Sequence, residues 1–289
     1  MGSKNSTANK VDPTLHSTAA HPSVNHMLTR AGHENPTGIA TIDHFSNRRR
    51  TWREVLDRVC RLANGLKTKY NLSPGGRVGL VALNSDRYFE TFFAASFAGG
   101  IVVPINIRLA PPEMVEQFND CTAEIVLVDD AFWQAVVPLI KSQCKSVKHV
   151  IFCGDKVPAG VSEDYEAIVK SSSPLAEPCA RGGSDTFGIF YTGGTTGKSK
   201  GVELTHSNIF INALGHVGML EYTPQSKYLH SAPMVSEPRL CHLHWLTFTI
   251  SSILQMVPAH LVSPWHVAPM FSFPNSFLTT CLTQSRNIE

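Results

Sequence analysis

The sequence has little net charge, no paired cysteine motif and no long apolar run, and each shortage argues against a class of protein. The 25 Lys and Arg exceed the 23 Asp and Glu by only two, which gives no support for a nucleic-acid partner. The seven cysteines include no C-x-x-C pair, so we expect buried thiols in a reducing compartment. No stretch reaches the ~20 consecutive apolar residues of a membrane-spanning helix, and no secretory signal is visible.

Charge is also missing locally, in the last part of the chain. Positions 240–285 contain no Asp, Glu, Lys or Arg, whereas the preceding 239 residues contain 46 of them. We therefore predict a disordered N-terminus at 1–22, a domain at 23–234 and a tail of a different kind at 235–289. The apolar window 245–257 is short for a membrane anchor, and an uncharged new domain would be hard to keep soluble. We favour non-homologous sequence that follows a splicing or gene-model discontinuity.

The most informative segment is Tyr191–Val202, which reads YTGGTTGKSKGV. Glycines allow a backbone to come close to a ligand, and successive backbone N–H groups in such a loop form an anion-binding nest. The threonine hydroxyls add donors, and the two lysines add positive charge. The composition therefore predicts a loop that binds a polyphosphate.

The spacing of this loop distinguishes two families of nucleotide-binding proteins. The P-loop of NTPases needs G-x-x-x-x-G-K-[ST], and here Thr192 stands where the first glycine is required. The segment instead resembles the phosphate loop of the adenylate-forming (AMP-binding) superfamily, in particular acyl-CoA synthetases and 4-coumarate-CoA-ligase-like enzymes. Their pattern is [YF]-T-[SG]-G-T-T-G-x-P-K-G-V followed by L-T-H. Ser199 stands where that family usually has proline.

The resemblance extends from about residue 24 to Met234, with TWREV at 51–55, RLANGL at 61–66 and AGGIVVPINIRL at 98–109. Apolar strands alternating with helices predict an α/β fold, a mainly parallel sheet flanked by helices. The last predicted strand runs into the loop, which places the loop at the carboxyl edge of the sheet. The predicted strands are 77–83, 101–105, 124–128, 147–152 and 186–190, and the predicted helices are 51–70, 86–98, 111–119 and 131–142.

The resemblance implies a ligase that activates a carboxylic acid, fatty or aryl, with ATP to an acyl-adenylate and then transfers the acyl group to coenzyme A. It implies ATP, Mg²⁺ and coenzyme A as cofactors, with Thr195 as a Mg²⁺ ligand. The family's later segments, which carry a magnesium-binding glutamate, a ribose-binding aspartate and a catalytic lysine, do not follow Met234, so the fold is expected to be incomplete and the chain inactive alone. The implied phosphate-binding residues are Thr192, Gly193, Gly194, Thr195, Thr196, Gly197, Lys198 and Lys200.

Two other functions remain open. The chain could be a non-catalytic remnant that binds nucleotide, or a P-loop NTPase, which the spacing disfavours. We expect a cytoplasmic protein without an integral membrane span or a nucleic-acid partner. Met1–Ser6 fits the N-myristoylation pattern at Gly2, although one acyl chain, like the apolar tail, would attach the protein only weakly to a membrane.

Four shorter patterns carry structural expectations. Arg48–Arg50 is interpreted as a solvated turn before the helix that Thr51 and Glu54 open as a capping box. His206 is expected to cap the helix after the loop. Trp52 and Trp133 lie in helical patterns and are predicted to be core residues. The thirteen histidines form no recognisable metal constellation.

Overall fold

The computed structural model describes residues 21–192, 199–220, 223, 226–230 and 234. The predicted disordered N-terminus, apart from its last two residues, and the predicted tail lie outside the described residues. The helices are α1 (Val24–Glu34), α2 (Trp52–Thr68), α3 (Asp86–Phe97), α4 (Pro111–Asp120), α5 (Trp133–Gln143), α6 (Tyr165–Ser171) and α7 (His206–Leu220). The strands are β1 (Ile39–Asp43), β2 (Arg48–Thr51), β3 (Arg77–Val81), β4 (Ile101–Pro104), β5 (Ile125–Val128), β6 (His149–Phe152), β7 (Thr186–Thr192) and β8 (Lys200–Thr205).

Six strands form one sheet in the order β6-β5-β3-β4-β7-β8. All neighbouring pairs are parallel except β7 and β8, which are antiparallel. Parallel strands are usually buried on both faces, and all four residues of β5 are buried. The α/β fold with a mainly parallel sheet is therefore confirmed, with each predicted strand and helix present to within two residues at either end.

Helices cover both faces of this sheet. One apolar cluster packs α1, α2, α3, α6 and α7 against one face, and a second packs α4 and α5 against the other. Close approach is possible where a side chain is absent: a Cβ at Gly79 of β3 would lie 2.4 Å from the Phe118 ring of α4. No helix among the described residues is long and apolar enough to cross a membrane.

Local signals at the start of α2 are confirmed. The Thr51 hydroxyl accepts a hydrogen bond from the Glu54 backbone N–H, and the Glu54 carboxylate accepts one from the Thr51 backbone N–H at 2.7 Å. Trp52 is buried, while Trp133 is partly buried and packs edge-on against Phe152.

The expectation of a solvated turn at Arg48–Arg50 is wrong. These residues form β2, which pairs antiparallel with β1 to make a hairpin. Arg48 and Arg50 point inward, and both donate to the buried carboxylate of Asp86 at 2.9–3.0 Å. The pattern of three consecutive arginines looked solvent-facing because the acid that binds two of them lies in α3, 36 and 38 residues further along the chain.

The contacts of Arg48 and Arg50 are part of a larger ion network. Arg58 of α2 donates to Glu90 of α3 at 2.9 Å and to Glu166 of α6 at 2.8 Å. Arg87 also donates to Glu166, and the Tyr165 hydroxyl donates to Glu90 at 2.7 Å. The network joins the hairpin to three helices through charged groups that are largely withdrawn from water.

The contribution of Glu166 to stability should depend on pH in one direction. Burial acts to raise the pKa of its carboxyl, but hydrogen bonds and charges from Arg58 and Arg87 outweigh burial and lower that pKa to about 2. Since the folded pKa lies below the unfolded value of about 4.3, the contribution is complete above that value and is lost as pH falls through the folded pKa. The difference in unfolding free energy between wild type and Glu166→Gln should therefore shrink from pH about 6 to about 3. Denaturant unfolding at both pH values would measure it, and a constant difference would contradict the lowered pKa.

Candidate functional site

The candidate phosphate loop connects β7 to β8. The two strands pair so that Thr192 lies opposite Lys200, and the Thr192 hydroxyl donates to the Lys200 carbonyl oxygen at 3.5 Å. The hairpin therefore brings the first and last predicted phosphate-binding residues together at the mouth of the loop. The other six, Gly193, Gly194, Thr195, Thr196, Gly197 and Lys198, lie outside the described residues.

The position of the loop in the sheet follows from the direction of β7. This strand is parallel to β4 and continues to Thr192, two residues beyond the predicted end. The loop thus leaves the sheet at the same edge as the carboxyl ends of β3, β4, β5 and β6. Open α/β sheets bind their ligands at that edge.

A buried tyrosine holds the base of the loop. Tyr191 packs among the apolar residues on the α4 side of the sheet, and its hydroxyl lies 2.5 Å from the Asp120 carboxylate and 3.2 Å from the Gln117 carbonyl oxygen. Burial and the hydrogen bond to Asp120 raise the pKa of Tyr191. The Tyr191 hydroxyl, the first polar group of the loop motif, therefore anchors β7 on α4. The sequence did not indicate this contact, because Asp120 lies 71 residues earlier.

A bulge in β7 allows this strand to pack apolar side chains on the other face of the sheet as well. The register with β8 shifts between Thr186 and Gly188, so Phe187 and Phe190 both pack on the α3 side, each with its ring centre 6.5 Å from that of Phe92. The backbone of β4 comes close here: a Cβ at Gly188 would lie 3.1 Å from the Val102 carbonyl oxygen. The strand that carries the loop is thus fixed from both sides.

The charges at the loop mouth suit an anion. The Lys200 side chain belongs to an exposed residue and makes no ion pair with any carboxylate in the part of the chain that the structure describes. The nearest acid along β8, Glu203, accepts instead from the Thr186 hydroxyl at 2.9 Å, at the opposite end of the hairpin. An ammonium group and a hydroxyl therefore flank the loop without a competing carboxylate, which fits a phosphate ligand.

His206 does not cap the helix that follows β8, contrary to expectation. Thr205 and Asn208 exchange hydrogen bonds across the start of α7 and supply its cap. His206 is buried, and its Nδ1 accepts a hydrogen bond from the Val24 backbone N–H at the start of α1. Burial lowers the pKa of His206 to about 4, so the neutral imidazole acts as an acceptor that caps α1.

Two other candidate features lie away from the loop. A cavity of about 340 Å³ opens between α5 and β6, at the opposite edge of the sheet, and none of its lining residues belongs to β7 or β8. Within the described ranges, no group of three His, Cys, Asp or Glu residues could hold a metal ion. The loop between β7 and β8 is therefore the candidate site.

The chain belongs to a known family. A family model described as AMP-binding enzyme matches residues 28–265, which covers the sheet, the hairpin of β7 and β8 and the start of the segment beyond Met234. That range ends later than the boundary at 234 that the sequence predicted for the domain.

Curated relatives are CoA ligases and synthases of greater length. A 4-hydroxybutyrate–CoA ligase of Metallosphaera sedula is 30% identical over 218 residues, covering 72% of this chain and 38% of the relative. A feruloyl-CoA synthase of Amycolatopsis sp is 31% identical over 184 residues, covering 64% and 34%. A long-chain-fatty-acid–CoA ligase of Thermus thermophilus is 30% identical over 166 residues, covering 57% and 30%. The chain thus spans between 30% and 38% of the length of these relatives.

Solved structures show the same fold. ATP-bound MatB from Rhodopseudomonas palustris superposes with a TM-score of 0.69 at 23% identity, over 81% of this chain and 44% of that one. A long-chain-fatty-acid-CoA ligase from Archaeoglobus fulgidus gives a TM-score of 0.70 at 21% identity, over 81% and 46%. At this identity the likeness establishes the fold and no more.

Proposed function

We propose that this chain contributes the ATP-phosphate site of an AMP-forming acid–thiol ligase. The observation that carries the proposal is the β7–β8 hairpin, which sets Thr192 and Lys200 at the two ends of a glycine- and threonine-rich loop. Among the described residues, Lys200 makes no ion pair. Membership of the AMP-binding family supports it, as do relatives whose names pair CoA with carboxylic acids.

The proposed reaction has two steps. A carboxylate oxygen of the acid attacks the α-phosphorus of ATP, the bond to the β-phosphate oxygen breaks, and pyrophosphate leaves. The sulfur of coenzyme A then forms a bond to the acyl carbon while the bond to the AMP oxygen breaks. Both steps move negative charge, so positioning and charge neutralisation carry the catalysis.

The residues of this chain would act on the triphosphate. Thr192 and Lys200 would bind phosphate oxygens from the loop mouth, and the six loop residues between Thr192 and Ser199 would supply backbone N–H groups, hydroxyls and the second ammonium. Mg²⁺, for which Thr195 is the proposed ligand, would supply further neutralisation of the phosphates when bound. The acid is proposed only as a class, because the relatives' names range from 4-hydroxybutyrate to long-chain fatty acids.

One observation keeps a second function in view. The chain covers 30% to 38% of the length of the relatives named above, which is compatible with a nucleotide-binding remnant that has no activity of its own. A P-loop NTPase is disfavoured by the position of Thr192. In a chain completed with the later segments of a family member, release of pyrophosphate from ATP with a panel of carboxylic acids would support the ligase, and release of phosphate would support an NTPase. ATP binding without release of either would support the remnant.

Replacing Lys200 with alanine should weaken ATP binding by about 1.5–3 kcal/mol, because a charge-assisted hydrogen bond to phosphate is lost. Titration calorimetry on wild type and Lys200→Ala would measure the change. Lys170→Ala is the matched control, since Lys170 is an exposed lysine on α6, away from the loop, and should leave the affinity unchanged. Equal ATP affinity of wild type and Lys200→Ala would count against the site.

A further inference from the structure

The β1–β2 hairpin is amphipathic in the opposite sense to most surface hairpins. Three of its four Asp and Arg residues face the protein: Asp43 has a side chain only 6% exposed, and Arg48 and Arg50 bind Asp86 beneath it. Antiparallel strands at a surface usually turn apolar side chains inward and polar ones to water. Here the ion network occupies the inner face of the hairpin.

The apolar residues of the hairpin are correspondingly exposed. Ile39 is 52% exposed, Ile42 is 55% exposed, and Phe45, in the loop between the strands, is 94% exposed. Arg49, which lies opposite Ile42 in the register, is also exposed. The outer side of the hairpin therefore carries three large apolar groups and one cation, and we call Ile39, Ile42, Phe45 and Arg49 the outer patch.

The loop that presents Phe45 is braced from below. Asn47 adopts a left-handed backbone conformation with φ 53°, and the Ser46 backbone N–H donates to the Asp43 carboxylate at 2.9 Å. Arg48 is held by Asp43, Asp86 and Asp155. Phe45 is thus presented to water by a turn that these hydrogen bonds and ion pairs brace, and burying its ring together with the neighbouring apolar groups against a partner would be favourable.

The size and charge of the outer patch indicate what covers it. A stable protein interface needs about 800 Å² and about 20–30 residues on each side. The two strands of the hairpin have only five and four residues, and about half of these face outward, so the outer patch is too small for such an interface. The only carboxylate of the hairpin, Asp43, faces inward, so the exposed charge is a cation. A protruding aromatic ring beside apolar groups and an arginine suits the interface of an anionic lipid surface.

We propose that the outer patch is a membrane-contact site, in which Phe45 enters the headgroup region of an anionic lipid surface and Arg49 pairs with the lipid phosphates or carboxylates. The ion network beneath the hairpin fixes the depth and angle at which Phe45 is presented. The site is independent of the phosphate loop and needs no nucleotide.

Vesicle binding by the full chain tests this proposal. Wild type should sediment with vesicles of equimolar phosphatidylcholine and phosphatidylserine, and Phe45→Ser should lower the partition coefficient by about tenfold or more. Ile211→Ser is the matched control, because Ile211 is 66% exposed on α7, and it should change the partition coefficient less than about twofold. Arg49→Gln should weaken binding to these vesicles but not to vesicles of phosphatidylcholine alone.

A conservative variant separates insertion from misfolding. Phe45→Trp should keep the wild-type partition coefficient, and its additional fluorescence should shift to the blue when vesicles are added. The thermal midpoints of all four variants without vesicles should equal that of wild type. Absence of vesicle binding by wild type, or equal binding by Phe45→Ser, would overturn the proposal. The proposal would also be overturned if Phe45→Ser alone lowered the thermal midpoint without vesicles, because that result would show that the chain's own residues cover the ring.

Discussion

Replacing Arg58 with methionine should lower the free energy of unfolding by about 3–5 kcal/mol, the range for breaking a buried ion pair from one side. The Arg58 side chain is 12% exposed and lies between Glu90, which is fully buried, and Glu166. Burial raises the pKa of Glu90, and the charge and hydrogen bonds of Arg58 counteract that rise. Without the guanidinium, the buried Glu90 carboxylate keeps only Arg50 at 3.3 Å and the Tyr165 hydroxyl at 2.7 Å. Its charge is then poorly compensated, or it must take up a proton, and both are unfavourable at neutral pH.

The pH dependence of this loss provides an internal check. Acidification protonates Glu90 and Glu166 and removes the negative charge that Arg58 no longer compensates, so the difference between Arg58→Met and wild type should shrink as pH falls. Arg30→Met is the control, because Arg30 pairs with Glu34 on the exposed side of α1, where an ion pair contributes little. Equal effects of the two substitutions in urea unfolding would mean that the network is not desolvated.

A polypeptide of residues 1–289 alone should form no detectable acyl-CoA from ATP, a carboxylic acid and coenzyme A. This chain matches only 30% to 38% of the length of the relatives named above. Loss of one electrostatic stabiliser usually costs a factor of about 10²–10³ in rate. The resemblance places a magnesium glutamate, a ribose aspartate and a catalytic lysine in later segments, so several such factors multiply. Chromatography would monitor thioester formation by two chains, one of residues 1–289 alone and one that also carries the later segments of a family member.

The control for this experiment is the Lys200→Ala variant purified in the same way. Thioester formed equally by wild type and Lys200→Ala would come from a contaminating ligase. Turnover by wild type that Lys200→Ala abolishes would show that residues 1–289 suffice, and the expectation of inactivity would be wrong.

The sheet could be predicted from the sequence because each of its strands and flanking helices is specified by residues that are neighbours along the chain. Residues Ile125–Val128 are all apolar and all buried. A near-continuous apolar run predicts a strand that is buried on both faces of a sheet. The exchange of hydrogen bonds between Thr51 and Glu54 follows from a spacing of three residues. Each such signal needs only neighbours within one element.

The hairpin of β1 and β2 could not be predicted, since its inward charges depend on distant partners. Arg48 and Arg50 both pair with Asp86, which lies in α3 and not in the hairpin. For the candidate site, the loop spacing placed Thr192 and Lys200 at the two ends of one loop, and the structure sets them opposite each other on β7 and β8. Their role in phosphate binding stays a prediction. Nothing in the loop motif could reveal that Tyr191 is anchored by Asp120, because that contact depends on how α4 packs across β7.

The hydrogen bond between His206 and Val24 has a consequence for protein synthesis. Besides the local cap from Ser23, the first turn of α1 is held by an imidazole 182 residues further along the chain. Hydrogen bonds at and just before this turn also reach the carbonyl oxygens of Cys179 and Arg181 and the backbone N–H of Gly183. At about 5–20 residues per second, a ribosome makes His206 about 10–40 s after Val24. During that interval the amino end of α1 lacks these distant partners and has only the local cap from Ser23. The first helix of the domain to be translated is therefore one of the last to complete its native hydrogen bonds.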